Sequence, residues 1–123
     1  MIAMEYDLEE RCGKFGEDVI IFLKKLPKND LNISLVQQVV RSATSIGANY
    51  MEANEASSKR DFRNKISICR KEANETKHWL RMIACIQNAE ANACRTLWKE
   101  AHELTLIFGK IIRTCDEKKN IEH

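Results

Sequence analysis

Glu75-Thr76-Lys77-His78 is an E-x-x-H string, an arrangement that in ferritin-like helical bundles helps to hold a di-iron centre. That chemistry needs two such strings plus two further inward-facing glutamates from other helices. Only one string occurs here, so the ligand set is incomplete and neither a metal nor a cofactor is expected. His102 with Glu103 has no nucleophile-and-base arrangement around it. Neither a Ser-His-Asp order, a P-loop nor a GxGxxG string is present. Cys12 or Cys94 acting as a nucleophile would need a base, and none is in view. No enzyme is expected.

A different chemistry is carried by charge. Lys59, Arg63, Arg70, Lys77 and Arg81 fall within a narrow arc of one helix, with Asn74 beside them. From Lys59 to Arg81 there are eight Lys or Arg against Asp61, Glu72 and Glu75, a net charge of +5. A ribbon of positive side chains on a rigid helix can follow a phosphate backbone of nucleic acid. The bland alternative is the solvated outer face of an amphipathic helix. No aromatic is interleaved among these residues, so base stacking has no evident platform.

The same helix carries a second apolar face. Ile68, Glu72, Glu75, Trp79, Met82 and Ile86 cluster roughly opposite its core stripe. One stripe is enough for a helix in a monomeric bundle, so the second marks either an oligomer interface or a deeply buried helix. On the preceding helix, Gln38, Arg41, Ser45, Ala48, Asn49 and Glu52 share a back face. Arg41 can reach Glu72 or Glu75, within the subunit or across an interface. The competing reading keeps the Trp79, Met82 and Ile86 face for a foreign protein, as an interaction adaptor.

The elements that hold these residues follow from periodicity. Leu8, Cys12, Phe15, Val19, Phe22, Leu23 and Leu26 form the stripe of a helix over 8–25, capped by Asp7 with Glu10 at the capping-box position and ended by Pro27. A second helix over 33–56, capped at Asn32, buries Val36, Val39, Val40, Ala43, Ile46, Gly47 and Tyr50. The small Ala43 and Gly47 permit close approach of a neighbour. Ser58 caps a third helix over 59–87, with stripe Phe62, Ile66, Cys69, Ala73, Thr76, Leu80 and Ile83. A fourth over 92–116 carries Leu97, Trp98, Ala101, Leu104, Thr105, Phe108, Ile111, Ile112 and Cys115, before a frayed polar tail over 116–120. Short connections make the simplest packing an all-α, antiparallel up-down-up-down four-helix bundle, one domain over 1–123.

Composition agrees. The 123 residues suffice for one core, and four glycines with one proline are too few turn formers for an all-β fold. Five cysteines without a CxxC pair argue against disulfides or a zinc knuckle, and most of them fit helical stripes as small buried hydrophobes. No stretch has signal-peptide or membrane-span character, so the expected compartment is the cytoplasm.

The run Arg41-Ser42-Ala43-Thr44-Ser45-Ile46-Gly47-Ala48-Asn49-Tyr50, followed by Glu52-Ala53, resembles a signature of the bacterial four-helix bundle proteins encoded in intervening sequences of 23S ribosomal RNA genes. Tyr6-Asp7-Leu8, Leu26-Pro27, Ser58 to Phe62, Lys71-Glu72-Ala73, Glu75-Thr76 and Trp79-Leu80 extend the resemblance over Tyr6 to Cys115, with the fourth helix matching only in pattern. It implies a left-handed antiparallel bundle and a ring-shaped homopentamer. A distant cousin, the accessory protein of diversity-generating retroelements, is a basic pentamer that works with a reverse transcriptase and nucleic acid. The expectation is a non-enzymatic homo-oligomeric scaffold, with RNA or an RNA-associated protein as partner and no membrane.

Overall fold

In the computed structural model the described residues are 2–122, with side chains described for 8–118. Four helices follow one another: α1 (Ile2–Leu23), α2 (Asp30–Asn54), α3 (Lys59–Ile86) and α4 (Ala91–Glu122), the last entered through a 3-10 turn at Asn88–Glu90. Contact register gives their directions. Glu52, Ile46, Ser42 and Arg41 of α2 meet Lys65, Cys69, Thr76 and Glu75 of α3 in turn, so the two run antiparallel. Arg63 and Lys77 of α3 meet Asp116 and His102 of α4 in the same opposed sense. Gly47 faces Cys12, and Gly16 faces Ala43 and Thr44, which makes α1 and α2 antiparallel as well. The expected up-down-up-down bundle is what forms. None of the described helices is long and apolar enough to cross a membrane.

Helix ends differ from the sequence reading for local reasons. Asp7 lies inside α1 rather than capping it, because Ile2 to Tyr6 contain no glycine or proline to stop the helix; its side chain lies outside the described residues. The cap of α2 is Asn29, three residues before the expected Asn32, and its side chain accepts from the Asn32 amide at 2.9 Å. Asn32 is buried, and its Nδ2 donates to the Pro27 carbonyl at 2.8 Å, which ties the α1–α2 turn to the helix. Ser58 caps α3 as expected, accepting from the Asp61 amide at 3.0 Å. The frayed tail expected over 116–120 is instead helical through Glu122, again with no breaker in the segment.

The stripes meet in one core. Phe15, Val19, Ile46, Ile66, Leu80, Ile83, Leu104 and Phe108 are among its largest fully buried side chains. Burying each contributes on the order of 1.5–3 kcal/mol. Cys12, Cys69 and Cys94 are buried too, and burial pushes their thiols up to about 12, about 12 and about 11. They act as small hydrophobes, whereas Cys85 is exposed and Cys115 half-buried.

Across the α2–α3 seam a polar strip lies over the core. Arg41 bridges Glu72 at 3.3 Å and Glu75 at 3.2 Å, and Lys65 pairs with Glu52 at 2.9 Å. Partial burial, then the adjacent Glu75 carboxyl, hold Glu72 above the usual carboxylate range, with Arg41 pulling the other way.

Two outcomes follow. In the folded protein a thiol reagent should modify Cys85 quickly and Cys115 slowly, with Cys12, Cys69 and Cys94 reacting only after unfolding; fast labelling of any of these three would contradict the packing. Because folded Glu72 binds its proton more tightly than the unfolded chain does, its ionisation costs stability as pH rises through the carboxylate range. Glu72→Gln should therefore be neutral or stabilising in urea unfolding at pH 7, and lose that advantage near pH 4. A larger loss at pH 7 than in acid would reverse the sign of this account.

Candidate nucleic-acid interface

The cations expected to act together lie along the outer seam between α3 and α4, and the fold makes them unequal. Arg63 is held by Asp116 in a two-pronged pair at 2.6 and 3.1 Å, so its charge is largely offset. Arg70 lies across Gly109 of α4, where a Cβ would sit 4.0 Å from its guanidinium and 3.6 Å from that of Arg113. Neither Arg70 nor Arg113 has a carboxylate partner among the described residues. Two like charges converge there over a spot with no side chain. Such a pair favours an anion between its members.

Further along, Lys77 Nζ lies 3.1 Å from His102 Nδ1. An ammonium only donates, so Nδ1 accepts and the imidazole proton sits on Nε2. The same ammonium lies 4.9 Å from the centre of the Trp98 ring, which stacks on His102 at 5.1 Å and 13°. Arg81 is exposed beside Trp98 and Lys99. At the opposite end Lys59, with Arg60, Arg63 and Lys118, borders a cleft of about 710 Å³ beneath the α2–α3 loop. Asn74, one turn from Arg70, lines with it a shallow cleft that also takes in His78 and Trp79.

The ribbon thus gains what the sequence reading found missing. Trp98 packs against the core, as its stripe implies, and also lines the seam, so it supplies the aromatic missing among the α3 cations. Arg113, His102, Lys99 and Arg95 also join from α4. Cation spacing along a single helix carries no sign of which neighbour packs beside it. The one available signal was that Trp98, His102, Gly109 and Arg113 follow one another at steps of four, seven and four residues on one side of α4.

The expected assembly surface divides in two. Its polar members use their groups inside the chain: Arg41 with Glu72 and Glu75, Glu52 with Lys65, Ser45 Oγ to the Arg41 carbonyl at 2.6 Å, and Asn49 Nδ2 to the Ser45 carbonyl at 2.8 Å. Its apolar members stay partly open: Ile68 is 37% exposed, and Trp79, Met82 and Ile86 are half-buried. Trp79 Nε1 is buried with no acceptor among the described residues. Larger exposure occurs elsewhere, at Leu31 (60%), Met51 (59%) and Ile21 (55%) on α1 and α2, which the sequence reading did not single out.

The E-x-x-H pair faces outward: Glu75 is bound to Arg41, and His78 stands edge-on to Trp79 at 4.8 Å. Among the described residues no three His, Cys, Asp or Glu side chains are placed to share a metal ion.

Residues 5–110 match the family described as 23S rRNA-intervening sequence protein. The chain is also similar to a crystal structure of a protein of unknown function from the S23 ribosomal protein family of Bacteroides thetaiotaomicron. The two are 31% identical with a TM-score of 0.78, over 85% of this chain and 96% of that one. No curated protein matches. By the extent of the family match, by this likeness and by its four-helix fold, the chain belongs to the 23S rRNA-intervening sequence protein family.

Proposed function

We propose that this protein is a non-enzymatic, homo-oligomeric helical scaffold that binds RNA along the α3–α4 seam. The observation that carries the reading is the convergence of Arg70 and Arg113 over Gly109 without a carboxylate. Lys77 and Arg81 extend that charge along α3, and Lys59 and Arg63 stand at its far end. The family's description refers to 23S rRNA, which makes RNA the first ligand to test. Phosphate contacts of this kind bind with weak sequence preference and strong salt dependence.

Self-assembly is supported by the partly open flank of Ile68, Trp79, Met82 and Ile86, bordered by Arg41, Ser45, Asn49, Glu52, Glu72 and Glu75. A pentameric ring is the form that the resemblance implies, and copies in a ring would multiply the cationic seam. The cytoplasm is the compartment this reading assigns. A second reading, in which the same flank docks a foreign protein, is favoured only by its incomplete coverage in the single chain.

Light scattering on the purified protein should give several times the 14.2 kDa of one chain, with RNA co-purifying at low salt; a stable monomer would favour the adaptor instead. Affinity for RNA should fall steeply as salt rises from about 50 to 200 mM. Arg70→Gln or Arg113→Gln should lower the salt slope by about 1, and Arg63→Gln by less, since Asp116 already offsets that charge. RNA binding that is undetectable at about 50 mM salt, or unchanged in the Arg63→Glu, Arg70→Glu, Lys77→Glu triple variant, would overturn the reading.

A further inference from the structure

Beyond Lys77 the α3–α4 seam opens into a cleft of about 420 Å³, within the size range of small-ligand sites. Its floor is apolar, made by Leu80 and Ala84 of α3 and Cys94 of α4. The ring of Trp98 forms one wall, and Arg81, Arg95 and Lys99 stand around it with no acidic residue in the lining. Arg95 donates to the neutral Asn92 side chain at 2.8 Å, so its charge is retained. Arg81 and Lys99 have no carboxylate partner among the described residues. Trp98 is already oriented by its stack on His102 and by the Lys77 ammonium, so little freedom is left to lose on binding.

A greasy floor, one aromatic wall and a cationic rim call for a flat ligand with apolar faces and attached negative charge. Duplex bases are stacked on one another and cannot enter such a cleft without being unpaired. We infer that the cleft seats one unpaired nucleobase of single-stranded RNA, stacked on Trp98, with its flanking phosphates held by Arg81 and Lys99. This rests on the reading of the seam as an RNA surface and gives that surface a preference for single strands. Stacking tolerates any base, because every base presents a π-face.

The test compares a 12-nucleotide single strand with the corresponding 12-base-pair RNA duplex on the full chain at about 50 mM salt. Tryptophan fluorescence is read as the difference between the wild-type chain and Trp98→Phe. The single strand should quench the Trp98 signal and bind more tightly than the duplex. Trp98→Ala should weaken single-strand binding by about 5- to 150-fold and duplex binding by far less, the small duplex loss coming through Lys77, while Trp98→Phe keeps most of the single-strand affinity. Ala84→Leu, which fills the cleft and spares the ring, should also abolish the quench, and it covers the case in which Trp98→Ala fails to fold. If both RNAs bind equally, with no quench and no effect of either variant, the base seat is wrong and the phosphate surface stands. If neither RNA binds, the phosphate surface fails and the base seat with it.

Discussion

Two arginines on the outer helices sort the charge of the whole molecule. Arg41 of α2 takes Glu72 and Glu75 from α3, and Arg11 of α1 takes Glu100 from α4 at 2.6 and 2.8 Å, with Glu103 close enough to act on the same guanidinium. Each acid is drawn toward α1 or α2, away from the seam between α3 and α4. The cations of α3 and α4 are left facing one another, with Asp116 at one end as the acid that joins them. Individually such partly exposed pairs contribute little to stability, roughly 0–1 kcal/mol. Their consequence is directional: a chain of net charge +2 acquires one strongly positive edge.

The core makes that sorting possible by fixing the register. Gly47 and Gly16 bring α1 and α2 together, so that a Cβ at either would already touch the opposing helix at 3.7–3.8 Å. On the other side of α2, Thr76 lies 2.9 Å from Ser42, a buried hydroxyl pair that locks α2 and α3 at one level. A slip of one turn would carry Glu72 and Glu75 past Arg41 and move Gly109 from beneath Arg70. Packing in the interior therefore decides which charges meet outside. The cleft beside Trp98 follows from the same register, since Leu80 and Ala84 reach the level of Cys94 only there.

Much of the fold was legible in the residues. Apolar recurrence at three and four gave four helices and nearly all of the core, from Phe15 to Phe108. Ser58 read correctly as a cap because a serine three residues before Asp61 has a single obvious role. Asn29 and Asn32 are both competent caps, and the choice between them rests on the course of the Pro27 turn, which spacing does not reveal. The site was only half legible. Lys59, Arg63, Arg70, Lys77 and Arg81 lie on one helix and so share a visible period, whereas Arg113, His102 and Trp98 enter through the packing of a second helix. Trp98 read as core because a tryptophan at helical spacing usually is; it does pack against the core, but it is only half-buried and its other part lies along the seam, which spacing does not show.

Photo-crosslinking with RNA carrying 4-thiouridine, followed by mass-spectrometric mapping of the attached peptides, tests the charge-sorted seam most directly. The account predicts attachment on α3 from Arg70 to Arg81 and on α4 from Arg95 to Arg113, with α1 and α2 unmarked. Crosslinks concentrated on α1 or on the outer face of α2, or their complete absence from the α3–α4 edge, would contradict it.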